Sequence, residues 1–117
     1  MHAKLKGISS PDVELQTYWP EDEANFGFLI EAQIGPENEK GADIFQIMVC
    51  TPDWIKTNYL AHKTVWGRHM LIVFEYDLIE IESAINRYLE SCTAGDWHGL
   101  ALKLSRIGGW EFEDYKP

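Results

Sequence analysis

Four side chains in this sequence carry reactive chemistry: the thiols Cys50 and Cys92 and the imidazoles His69 and His98. A thiol beside an imidazole makes a nucleophile–base pair, so the chemistry they raise is that of a small cysteine hydrolase. Their surroundings weigh against it. Cys50 closes the apolar run DIFQIMVC, where a free cysteine commonly serves as a small core residue. His69 falls inside another apolar run and reads as a hydrogen-bonded sheet histidine. Metal chemistry is no better supported. His62 and His69 are separated by a loop-like stretch, His98 has no second ligand at a helical spacing, and no HxxxH, CxxC or EF-hand pattern occurs. Gly108-Gly109 lacks the lysine and spacing of a phosphate loop. No catalytic residue, metal ligand or cofactor is expected.

The acidic residues are the remaining candidates, and they suit contact better than catalysis. Glu75, Asp77, Glu80 and Glu82 crowd one corner, where Asp77 and Glu80 have the spacing of a helix N-cap and its reciprocal partner. Two further groups mix acids with aromatics: Trp19 with Glu21, Asp22 and Glu23, and Trp110 with Glu111, Glu113 and Asp114. Aromatic anchors among charges resemble the composition of interface hot spots. The tail pattern also fits a strand with core aromatics and solvated acids. Five tryptophans, at 19, 54, 66, 97 and 110, exceed what a small core needs, so some are expected at the surface.

The elements that must position these groups follow from periodicity. Val65–Asp77, VWGRHMLIVFEYD, is the longest apolar run. It is β-branched, aromatic and apolar on both faces, so it is expected to form a central strand covered on both sides. Residues 3–9 predict a first strand, and Val13, Leu15 and Thr17 suggest that extended structure resumes after Pro11. Residues 26–34 alternate cleanly, with Phe26, Phe28, Ile30, Ala32 and Ile34 on one face, and residues 43–50 form the returning strand of a hairpin. Thr51-Pro52 opens a short helix over about 52–60. Asp77 opens a second, with Leu78, Ile81, Ile85, Tyr88 and Leu89 as its stripe. Asp96 caps a third, and Gly108 suits a left-handed turn at its end. The tail adds one edge strand. The expected fold is α+β: a single-layer antiparallel sheet of about four to five strands with two to three helices packed against it.

The 117 residues suffice for a single domain, 1–117. A formal net charge of −9 argues against direct contact with nucleic acid or an anionic membrane and is compatible with a basic protein as partner, as it is with acidic charge that only keeps the protein soluble. MHAKLKGISS has no apolar core of a signal peptide and no stretch approaches membrane-span length, so the expected setting is cytoplasmic, with both thiols reduced.

GISSPD and YWP near the start, then NFGFLIEAQIGP, VCTPDWI, WGRHMLIVFEYD, ESCTAGDW and SRIGGWEFEDY, together resemble immunity protein family 8 of bacterial polymorphic toxin systems. The similarity runs over about residues 3–115. It is most specific at Gly67-Arg68-His69, Phe74-Glu75-Tyr76-Asp77 and Trp110-Glu111-Phe112. The resemblance implies a non-enzymatic protein that binds and neutralises the C-terminal domain of a cognate toxin, as in contact-dependent growth inhibition. Toxins of this kind are often nucleases with basic active sites. The resemblance carries over no contact residues; the two aromatic–acidic groups supply the first expected toxin-binding residues, Trp19, Glu21, Asp22, Glu23, Trp110, Glu111, Glu113 and Asp114. The rivals are a structural or adaptor subunit with no toxin and, behind it, the cysteine hydrolase.

Overall fold

The computed structural model describes residues 1–113. Its elements are β1 (Ala3–Ser9), β2 (Gly27–Pro36), β3 (Asp43–Cys50), α1 (Pro52–Asn58), β4 (Met70–Ile72), α2 (Leu78–Glu90), α3 (Trp97–Leu104) and β5 (Gly109–Trp110). The strands make one open, mostly antiparallel sheet in the order β1-β2-β3-β4, with β5 also on β3. This is the α+β architecture that the periodicities predict.

The β2–β3 hairpin is the centre of the sheet. Its register sets Phe28 opposite Val49, Ile30 opposite Ile47 and Ala32 opposite Phe45. Directly paired residues share a face, so one face is a continuous apolar surface, and all six side chains are buried. Ile81, Ile85 and Leu89 of α2 and Leu100, Ala101 and Leu104 of α3 pack into the same core. β1 joins it across a bulge between Leu5 and Gly7, which brings Leu5 opposite Ile34 and Ile8 opposite Ala32. Without the extra residue, an odd and an even position would point to opposite faces. That shift is why β1 alternates so poorly in sequence.

The 65–77 run is not a central strand. Only Met70–Ile72 pairs, parallel to Met48–Cys50 of β3, while β5 takes the same edge of β3 at Phe45 and Gln46. Two short strands divide one edge, so neither can lengthen into a covered centre. On one side of β4, His69 takes a positive φ of 58°. On the other, Asp77 accepts the Glu80 N–H at 3.2 Å and turns the chain into α2. The apolar residues flanking β4 are left outside: Trp66 is 94 % exposed and Phe74 80 %.

Smaller expectations also shift. Val13 and Leu15 lie against the core, but the chain turns there instead of extending, with Thr17 and Tyr18 N–H both donating to the Glu14 carbonyl. Asp12 then accepts the Leu29 N–H at 2.8 Å, satisfying β2 beyond the reach of β1. Glu80 does not return to the Asp77 backbone; its carboxylate takes Arg87 at 2.7 Å. α3 ends at Ser105 in a right-handed conformation, and Gly108 is there for close approach: a Cβ would lie 3.0 Å from that of Phe45. The left-handed glycine is Gly41, in the β2–β3 turn, with φ 96°.

α1 is fastened by Thr51. This fully buried hydroxyl accepts the Trp54 N–H at 3.3 Å and the Phe26 N–H at 3.1 Å. No helix among the described residues is long and apolar enough to cross a membrane.

Candidate functional site

The reactive side chains are dispersed. Cys50 is fully buried, and burial pushes its thiol above the ordinary range, towards the unreactive protonated form. Cys92 is buried beside Ser91. The Nε2–H of His69 donates to the Ser105 carbonyl at 2.8 Å, tying the start of β4 to the end of α3. His98 lies edge-on to Trp110. No thiol is recorded against an imidazole among the described residues, and they hold no group of three or more His, Cys, Asp and Glu suited to a metal.

The two aromatic–acidic groups have different surroundings. At the C-terminal one, Trp110 stacks on Phe45 and donates its indole N–H to Asp43 Oδ2 at 2.9 Å. Trp97 donates to the same oxygen at 2.7 Å. One carboxylate thus gathers two indoles and fixes the tail to the start of β3. Glu111 completes this join: its carboxylate accepts the Ile44 N–H at 2.9 Å and its own N–H donates to the Ile44 carbonyl. Glu113 pairs with exposed Arg68 at 2.9 Å. Trp110 and Glu111 therefore hold the fold together, whereas Glu113 stays at the surface. Asp114 lies outside the described residues.

At the other group, Trp19 is 63 % exposed. It meets Tyr76 edge to face at 5.2 Å. Glu21, Asp22 and Glu23 are exposed beside it, with Asp22 turned back to accept the Ala24 N–H. Tyr76 is buried among Tyr18, Phe26 and Phe28, and its chain neighbours are Glu75 and Asp77. Through Tyr76 the loop acids and the corner acids belong to one end of the molecule. Phe26, at that end, is hydrogen-bonded to Thr51 just past the end of β3, whereas Trp110 pairs with Phe45 near its start, so the two groups lie towards opposite ends of β3.

The sequence reading missed a third feature. Leu60, Val65, Trp66, Ile72, Phe74 and Ile79 are all exposed, and all lie within residues 60–79. Between β4 and α2 runs a trough of about 460 Å³ whose walls include Ile72, Phe74, Ile81 and Ala84. At Leu71 and Ala84 it meets a second hollow of about 240 Å³ that reaches His69 and Arg106. Large apolar side chains grouped at the surface of a folded protein mark contact sites. The hints of this in the sequence are the surplus of tryptophans, Trp66 among them, and Gly67-Arg68, which interrupts the apolar run.

A family model described as immunity protein 8 matches residues 3–115 of the chain. No curated protein and no solved structure matches it.

Proposed function

The chain belongs to the immunity protein 8 family, and from that premise we propose that it neutralises the C-terminal domain of a cognate toxin, a nuclease, by protein–protein contact and without chemistry of its own. One observation carries the mode of action: bulky apolar side chains that the core does not need, Trp19, Trp66 and Phe74, stand exposed, Trp19 and Phe74 of them beside carboxylates. A catalyst gathers polar groups in a cleft; an inhibitor presents anchors and charge on a surface.

A nuclease site is basic because it holds phosphates. A partner of net charge −9 is drawn to it and presents carboxylates where phosphates would sit. The proposed contact includes Trp19, Glu21, Asp22 and Glu23 at one end. Glu113 forms a second proposed contact at the other, with Trp110 and Glu111 supporting it from within the fold, and Asp114 is proposed as part of it from the sequence alone. The proposed setting is the cytoplasm of the producing cell.

The test is co-expression with the toxin domain encoded by the adjacent gene. Growth should be rescued and the two proteins should co-purify. An adaptor subunit would neither rescue nor bind, and that result would remove the proposal.

A further inference from the structure

We propose that the trough between β4 and α2 receives an extended segment of the toxin domain, which adds to the free edge of β4 as another strand and brings a lysine or arginine to the carboxylates at the trough's end. This rests on the toxin-binding reading above and gives it a location and a mode.

The backbone supplies the first argument. The His69 carbonyl accepts the Met48 N–H at 2.8 Å, and the Val73 N–H donates to the Cys50 carbonyl at 2.9 Å. Polar groups alternate sides along a strand, so residues 69, 71 and 73 face β3 and residues 70 and 72 face away. The Ile72 N–H and the carbonyls of Met70 and Ile72 have no recorded partner among the described residues. An open edge is a template for another strand, and proteins usually guard it with charge, proline or a covering element. Met70, Leu71 and Ile72 carry neither charge nor proline, and the trough beside them is uncovered.

Side chains supply the second. A strand laid on this edge would send alternate residues down towards Ile81 and Ala84, while Phe74 and Ile79, 80 % and 78 % exposed, would flank it. Three residues of pairing are too few for tight binding, and these exposed neighbours extend the contact.

Charge decides the occupant. Glu75, Asp77 and Glu80 line one end of the trough against a single cation, Arg87, which is paired with Glu80. Asp77 also caps α2, and Glu75 has no recorded partner among the described residues. The uncompensated charge calls for a basic residue from outside. A second copy of this chain would bring a further −9 to the same edge instead.

Ile72→Pro removes the outward N–H, which the fold does not use, and so leaves folding intact. Glu75→Lys reverses the unpaired charge at an exposed position. Each should weaken binding of the adjacent gene's toxin domain by about tenfold or more, with circular dichroism and thermal unfolding unchanged. Hydrogen exchange in the complex should slow at Ile72, and this protection should be absent from the free protein. If both variants bind the toxin domain as the parent does, the trough assignment is overturned while toxin binding stands. If the parent itself neither binds nor rescues, both readings fall. If the free 13.5 kDa chain runs at twice its mass and Ile72→Pro returns it to a monomer, the edge belongs to a second copy and the proposal is overturned.

Discussion

Tyr76 and Asp43 do more for this fold than their neighbours in sequence suggest. Tyr76 meets Tyr18 at 5.3 Å and Phe26 at 5.6 Å, both nearly perpendicular. Burial raises the phenol pKa of Tyr18, and of Tyr76 with a further push from Tyr18. A raised pKa means the folded state holds the proton more tightly than the unfolded chain. Stability from this source is complete below the unfolded value and is lost as pH rises through the folded one. The urea midpoint should therefore fall as pH climbs past about 10. Tyr18→Phe, which keeps the ring, should flatten that fall; an unchanged slope would show that the phenols do not drive it. Asp43 offers a neutral-pH counterpart. Asp43→Ala leaves two indole N–H groups and should cost about 3 kcal/mol in urea unfolding, whereas Asp43→Asn, which keeps an acceptor, should cost about 1 kcal/mol.

At the scale of elements, legibility followed the number of neighbours each stretch needs. β2 carries a two-residue alternation and β3 returns from a turn to Thr51-Pro52, so both strands could be read directly, although β2 runs on through Gly35 and Pro36 beyond the expected 26–34. The caps of all three helices were legible for the same local reason: Thr51, Asp77 and Asp96 each accept an N–H at the start of the helix they open. What failed was non-local. Residues 65–77 are apolar enough for a buried strand, but β5 and β4 compete for one edge of β3, and no window of sequence contains that competition. The same holds for the two aromatic–acidic groups. Trp110 and Trp19 look alike in sequence, yet Asp43, 67 residues from Trp110, makes one of them structural. Packing across elements also explains Gly27. A Cβ there would lie 2.4 Å from the Trp54 ring, so Gly27→Ala should cost about 1–3 kcal/mol by displacing α1. Trp54→Leu should remove most of that penalty, visible as non-additivity in a double-mutant cycle.

For the whole molecule, the dominant quantity is charge. Nineteen acidic side chains against ten basic ones leave a long-range field that would steer the proposed basic partner. Reversing Glu21, Asp22 and Glu23 to lysine should lower the association rate about tenfold at low ionic strength and reduce its dependence on salt, while the dissociation rate changes less. Stopped-flow mixing with the toxin domain measures both, and an unchanged association rate would place that loop outside the contact. The proposed trough contact also draws on a stretch of sequence that adds little to the buried core. Residues 60–79 contribute a single buried side chain, Tyr76, while the remaining core comes from the chain on either side. If the proposed trough contact holds, a lineage facing a new poison could change the exposed Trp66, Ile72, Phe74 and Ile79 while the scaffold it inherits goes on folding as before.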